Sequence, residues 1–83
     1  MMQLEIITPD QKVFTGDVKL VKVPGSKGSF EILKNHAPII STLENGEIKI
    51  IDMQDKTTFY EISGGVIEVK QNNIIILAES VIH

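Results

Sequence analysis

The sequence contains no cysteine, no tryptophan and no arginine, and two of these absences remove classes of function. Without cysteine the chain can hold no disulfide framework, thiolate metal site or cysteine nucleophile. The eight cationic residues are all lysine and the formal net charge is −3, whereas a nucleic-acid binder normally presents an arginine-rich basic face. The composition therefore argues against a nucleic-acid partner.

Long apolar segments are also missing. The longest apolar run, 74–78, has five residues, far short of the roughly 20 that span a bilayer. The first residues, 1–5, lack the basic and apolar regions of a secretory signal. We therefore expect one small cytoplasmic domain, residues 1–83, without direct membrane insertion.

Alanine, the best helix former, occurs only twice. Isoleucine, valine and threonine together make up 26 of the 83 residues. Their β-branched side chains pack well on a pleated sheet and lose rotamer freedom in a helix. The composition therefore predicts an all-β fold.

Short apolar stretches bounded by turn residues recur along the whole chain, which is the pattern of many short strands. The predicted strands are 4–8, 13–15, 17–23, 29–33, 39–43, 47–51, 57–62, 66–69 and 74–78. The predicted structural turns include Pro24, Gly25, Gly46, Gly64 and Gly65. This spacing indicates a β-sandwich or a barrel.

Four local features sharpen this prediction. The alternation within 17–23 changes phase at Leu20-Val21, which predicts a bulge or a change of sheet. Gly16 is expected to end the second stretch, and 44–46 carries a hairpin signal. Residues 74–78 are apolar at every position, which predicts a strand buried on both faces.

The chain is poor in groups that could catalyse a reaction. It has two histidines, His36 and the terminal His83, and no pair at metal-ligand spacing. Residues 25–28 contain glycine and lysine, but they lack the spacing of a phosphate-binding loop and the helix that follows it. We therefore expect no enzyme, no metal and no cofactor.

Lys56 suggests an alternative function. It lies in a predicted turn between two strands, as the modified lysine does in lipoyl and biotinyl carrier domains, which are also small β-sandwiches. The turn here is longer, however, and a polar residue follows the lysine. A solvated hairpin tip is the simpler interpretation, and the carrier or binding module stays open as the alternative.

A collinear set of motifs resembles the epsilon subunit of F-type ATP synthases. Residues 23–40 contain a Pro-Gly-x-x-Gly turn, a short strand and His36-Ala37-Pro38 followed by aliphatic residues, and 43–46 read Leu-x-x-Gly. The first strands, 4–16, and the last, 63–69 and 77–79, also match the pattern of that family. The resemblance covers the whole chain.

The resemblance implies a flattened β-sandwich of about eight to ten short strands that has no catalytic role. It implies a peripheral place in the central stalk at the cytoplasmic face of a bacterial plasma membrane, with one copy between the gamma subunit and the c-ring. The c-ring side is then expected at Ser26, Lys27, Gly28, Ser29 and Glu31. The gamma side is expected at Thr8, His36, Ile39 and Ile40.

The sequence also departs from the family pattern. Family members often have an acidic residue at the position of Ser29 and glycine at that of Glu31. They usually continue for about 50 residues as a two-helix hairpin that inhibits ATP hydrolysis in some members, whereas this chain stops at His83. The resemblance therefore predicts that these 83 residues couple rotation without inhibiting by extension of an arm.

Two structural expectations follow. A subunit held between two partners should expose an aliphatic patch on one sandwich face and around Ile39-Ile40, rimmed by Lys34 and Glu44. In addition, at least one of Gly25, Gly28 and Gly46 is expected to have a positive φ.

Overall fold

The computed structural model describes residues 2–82, so His83 lies outside the described residues. They form eight strands and no helix, which confirms the all-β prediction and the expected number of strands. The strands are β1 (Met2–Ile7), β2 (Lys12–Val23), β3 (Phe30–Ile32), β4 (Ile39–Leu43), β5 (Gly46–Asp52), β6 (Thr57–Ile62), β7 (Gly65–Lys70) and β8 (Asn73–Ala78).

One continuous sheet runs in the order β4-β7-β8-β1-β2-β5-β6, and β3 pairs with β2 beside this path. All neighbouring pairs are antiparallel except β1 and β8, which run parallel. The sheet curls over on itself to give the two layers of a sandwich. We call β4-β7-β8-β1 the first layer, and β5, β6 and β3 the second.

Strand β2 joins the two layers. Its first half pairs with β1 and its second half with β5 and β3, and the register with β5 shifts between Val18 and Leu20. The predicted change of phase in this segment therefore marks a bulge-like shift of register within one continuous sheet, at the point where β2 passes from the first layer to the second. The expected break at Gly16 is wrong, because Gly16 lies inside β2 opposite Leu4.

The core lies between the two layers. It consists of sixteen buried apolar residues that come from every strand, and no polar or charged side chain is buried among the described residues. In β8 the side chains of Ile74, Ile76 and Ala78 are buried, whereas Leu77 is 53% exposed. The expected burial of this strand on both faces is therefore wrong, since its second face forms part of the surface.

The segment 44–46 does not close a hairpin, which is a further correction. Strand β4 pairs with β7 and β5 pairs with β2 and β6, so these residues carry the chain from one layer to the other. The amide of Glu44 donates to the carbonyl oxygen of Pro24 at 2.9 Å, which fixes the crossing point. The turn chemistry that favours a hairpin serves a crossover equally well.

Candidate partner interface

A loop of residues 24–29 is fastened to the end of β4. The amide of Ser26 donates to the carbonyl of Thr42 at 3.1 Å, and Gly25 and Leu43 form an isolated antiparallel bridge. The hydroxyl of Thr42 also donates to the hydroxyl of Ser26 at 2.9 Å. These contacts hold the predicted c-ring residues 26–29 against the first layer.

Two positions in this loop and one beside it, at the start of β5, require glycine for two different reasons. Gly28 has a φ of 123°, so the expectation of at least one positive φ is confirmed. Gly25 and Gly46 are glycine because of close packing instead. A Cβ on Gly25 would lie 2.6 Å from the carbonyl oxygen of Gly28, and one on Gly46 would lie 2.7 Å from the Cβ of Pro24.

A surface depression of about 660 Å³ lies between this loop and β4. It is lined by residues 25–30 on one side and 39–42 on the other. The structure therefore brings Ser26, Lys27, Gly28 and Ser29, expected at the c-ring, together with Ile39 and Ile40, expected at gamma. The two expected interfaces meet here.

Glu31 does not join this group. It lies in β3 opposite Lys22, next to Phe30, whose side chain packs against the core. Because side chains alternate across a strand, Glu31 lies on the outer surface of the second layer. Its predicted contact with the c-ring is therefore separate from that of the 26–29 loop.

The outer surface of the first layer exposes aliphatic side chains, and we call this surface the aliphatic face. Val66 and Leu77 lie opposite each other on β7 and β8 and are 38% and 53% exposed, and Ile40 on β4 is 74% exposed. Half-buried Ile75 and Ile7 extend the face across β8 and β1. The predicted aliphatic patch is therefore present.

The charged rim of the aliphatic face differs from the expectation. Glu44 follows the end of β4 as predicted, but Lys34 lines a different depression, together with Met2, Val18, Lys19 and Met53. Charges within the face come from Glu68 beside Ile40 and from Glu5, which forms a 2.9 Å ion pair with Lys12. The face is thus apolar with an acidic component.

Thr8 and His36, both expected on the gamma side, lie at opposite ends of β1. Thr8 follows the last residue of β1, where it borders a depression shared with Ile7 and Leu77. His36 belongs to the 33–38 loop, which is bonded to the turn beside the start of β1. Thr8 therefore adjoins the aliphatic face, while His36 lies near the far end of the sandwich.

Asn72 fastens the loop that carries His36, a role that the sequence reasoning missed. Its side-chain oxygen accepts from the amide of Asn35 at 2.7 Å, and its side-chain nitrogen donates to the side-chain oxygen of Asn35 at 3.1 Å. Its carbonyl accepts from the amide of Gln3 at 2.9 Å. Gln71 and Asn72 have φ values of 51° and 61°, typical of a two-residue turn in which asparagine is favoured.

Lys56 ends the turn between β5 and β6, and Asp52 organises that turn. The Asp52 carboxylate accepts from the amides of Gln54 and Lys56, each at 2.9 Å. Asp55 in the same turn forms a 2.7 Å ion pair with Lys19. These contacts account for the turn without a modified lysine, and they do not single out Lys56 for a carrier function.

Residues 2–82 contain no group of three or more histidine and acidic residues that could hold a metal ion. No helix in this described part of the chain is long and apolar enough to cross a membrane. Two surfaces of the described residues stand out: the depression of about 660 Å³ beside β4 and the aliphatic face.

Comparisons with known proteins identify the family of the chain. Residues 1–83 match the family described as ATP synthase, Delta/Epsilon chain, beta-sandwich domain. The chain therefore belongs to the family of ATP synthase delta and epsilon chains, and it comprises their β-sandwich domain.

Individual relatives are ATP synthase epsilon chains. The one from Pelotomaculum thermopropionicum is 40% identical over 78 residues, which cover 94% of this chain and 58% of that protein. The one from Chlorobaculum tepidum is 36% identical over 78 residues, which cover 94% of this chain and 89% of that protein. The relatives thus differ in how far they extend beyond the shared domain.

Solved structures confirm the fold. A chain of the Euglena gracilis mitochondrial ATP synthase superposes with a TM-score of 0.92 at 19% identity, covering 98% of this chain and 52% of that one. A chain in the central stalk and c-ring structure of the Tetrahymena thermophila enzyme gives a TM-score of 0.81 at 16% identity, covering 96% and 64%.

Proposed function

We propose that this chain is a non-catalytic rotor subunit in the central stalk of an F-type ATP synthase. It links the gamma subunit to the c-ring and couples proton-driven rotation to ATP synthesis. One copy works within the hetero-oligomeric complex, peripherally at the cytoplasmic face of a bacterial plasma membrane. Membership of the delta and epsilon chain family, and the likeness in fold to a chain of the Tetrahymena thermophila central stalk and c-ring structure, support this proposal.

The observation that carries the proposal is the aliphatic face. Exposed Ile40, Val66 and Leu77 extend over neighbouring strands of one layer, and Thr8 adjoins the same surface. A cluster of exposed aliphatic side chains on one layer is typical of a site that a partner protein covers. We assign the aliphatic face to the gamma subunit, and the 26–29 loop with Glu31 to the c-ring.

A rigid sandwich suits the transmission of torque. The core is formed by every strand, and β2 crosses from one layer to the other without interruption. A close-packed interior of this kind has low compressibility and transmits strain. The two proposed partner surfaces are therefore held by one stiff body.

Binding to the catalytic head tests the proposal with matched variants. The wild-type chain should co-purify with an ATP synthase head depleted of its own epsilon subunit. Leu77→Asp places a charge on the aliphatic face, and Phe59→Asp places the same charge on the other layer at a side chain that is 50% exposed, close to the 53% of Leu77. We expect Leu77→Asp to weaken binding at least tenfold, or about 1.4 kcal/mol, and Phe59→Asp to leave it within about threefold.

The proposal fails if the wild-type chain does not bind the depleted head. If Leu77→Asp and Phe59→Asp bind the depleted head equally well, the aliphatic face is not part of the interface. Circular dichroism of both variants, recorded first, shows whether each retains the β-sheet spectrum of the wild type.

The same reconstitution tests regulation. Residues 2–82 contain no helix that could extend toward the catalytic head. Adding the 83-residue chain to the depleted enzyme should therefore produce no inhibition of ATP hydrolysis that ATP relieves. Strong inhibition that rising ATP concentration reverses would contradict this expectation.

A further inference from the structure

Strand β4 is paired on one side only for most of its length. Its neighbour in the sheet is β7, and on its other side the 24–29 loop reaches only its last residues, through the bridge between Gly25 and Leu43. Within residues 2–82 no strand pairs with the residues before that bridge on this side, so they form a free sheet edge. This edge borders the depression described above.

The hydrogen-bond pattern shows which backbone groups point out from this edge. In an antiparallel pair, successive residues alternate between bonding to the partner strand and facing away from it. The carbonyl of Thr42 accepts from Ser26, so Thr42 faces away from β7. Two residues earlier, the amide and carbonyl of Ile40 therefore also face outward, and within residues 2–82 no backbone hydrogen bond reaches them.

The centre of this edge lacks two features that normally prevent a strand from pairing with another chain, a charged side chain and a bulge. Monomeric proteins protect free edges with charged side chains, bulges, proline, short strands or a covering loop, and here only the last residues of β4 are covered, while Pro38 lies before the strand. Strand β4 reads Ile-Ile-Ser-Thr-Leu, without a charge, and its register with β7 is unbroken. Ile40 in its centre is 74% exposed, the largest value among the exposed large apolar side chains of the described residues.

The surroundings favour a narrow occupant. An added strand would lie about 4.8 Å from β4, in the depression of about 660 Å³ between β4 and residues 25–30. The open stretch of edge is short, because Pro38 precedes it and the loop bonds to Thr42. A second copy of this whole sandwich is broader than the space between the loop and β4, whereas an extended segment of another protein can lie between them.

We propose that the gamma subunit places an extended, uncharged segment in this depression and adds it as a strand to the edge of β4. The inference rests on the proposed function and specifies how that partner is held. Backbone hydrogen bonds to Ile40 provide the register, and the Ile40 side chain supplies an apolar contact continuous with the aliphatic face. The 26–29 loop forms the opposite wall.

The first test targets the backbone amide of residue 40. Ile40→Pro removes the outward amide, and because this amide does not bond to β7 the internal ladder keeps its hydrogen bonds. Ile40→Val keeps the amide and a β-branched apolar side chain, so it is the matched control. With purified gamma subunit, we expect Ile40→Pro to bind about 10- to 100-fold more weakly than wild type and Ile40→Val to stay within about threefold.

Hydrogen exchange on the wild-type chain provides a second measurement that does not depend on any variant folding. The Ile40 amide should exchange rapidly in the free chain and at least 100-fold more slowly in the complex with gamma. The Ser41 amide, which faces β7, should be protected in both states.

Four outcomes overturn the inference. If gamma binds but the Ile40 amide stays unprotected, or if Ile40→Pro binds as tightly as Ile40→Val, the edge of β4 is not the docking site, although the proposed function survives. If gamma does not bind the wild-type chain, both the inference and the proposed function fail. If the free chain dimerises in sedimentation experiments with Ile40 protected, the occupant is a second copy.

Discussion

Gly25→Ala tests how the loop of the candidate interface is held. The new methyl group would lie 2.6 Å from the carbonyl oxygen of Gly28 and 2.7 and 2.9 Å from two ring carbons of Phe30. Because the oxygen belongs to the backbone, the loop itself has to move. Overpacking of this kind costs about 1–3 kcal/mol.

Movement of the loop threatens further hydrogen bonds. The amide of Gly28 donates to the carbonyl of Gly25 at 3.0 Å. Ser26, the residue after Gly25, donates from its amide to the carbonyl of Thr42 at 3.1 Å. Each bond contributes about 0.5–1.5 kcal/mol. If one of these hydrogen bonds breaks, its loss adds to the cost of the steric strain. The free energy of unfolding should then fall by about 2–4 kcal/mol, and the melting temperature by roughly 8–30 °C for a domain of this size.

Urea denaturation followed by far-ultraviolet circular dichroism measures this loss. A double-mutant cycle with Phe30→Leu identifies its source, since the smaller side chain relieves the collision with the ring but not the one with Gly28. The double variant should therefore lose less stability than the sum of the single variants. A stability of Gly25→Ala within 0.5 kcal/mol of the wild type would refute the close-packing account of this glycine.

Three further predictions concern the core and the turns. Ile76 is 0% exposed, so Ile76→Ala should lower the free energy of unfolding by about 2–5 kcal/mol in urea titrations, and a loss below 1 kcal/mol would contradict its place in the core. Asn72→Gly keeps the positive φ but removes the side-chain pair with Asn35, so exchange of the Asn35 amide should accelerate at least tenfold, while Gln71→Gly should leave it unchanged. Asp52→Ala removes the acceptor for two turn amides and should destabilise by about 1–2 kcal/mol in thermal melts, whereas Asp52→Asn, which retains an acceptor oxygen, should recover most of the loss.

Strand positions could be predicted from the sequence because they depend on local chemistry. Apolar side chains alternate where one face is buried, as in Ile48 and Ile50, and turn residues separate the stretches. The phase change near Leu20 could also be predicted, since a strand that changes layers has to change the face that it buries. These signals are all contained in short windows of sequence.

Pairing between distant segments could not be predicted in the same way. The parallel pairing of β1 with β8 joins the two ends of the chain, and no local pattern specifies it. The tether from Asn72 to Asn35 spans 37 positions, so the two asparagines look like independent turn residues in the sequence. The 44–46 segment misleads for the same reason, because its turn residues do not reveal which strand comes next to β4.

The apolar run 74–78 is a sequence signal of the candidate interface, although it also fits a strand buried on both faces. A strand that is apolar at every position, such as 74–78, is expected either between two layers of one protein or between its own core and a partner. In the described chain Ile74 and Ile76 face the core while Leu77 is 53% exposed, so the first explanation fails for the outer face. Exposure of Ile40 and Val66 to water on the same face is unfavourable, which supports the partner that we propose for this side. The misjudged face of β8 is thus the sequence feature that points most directly to a partner.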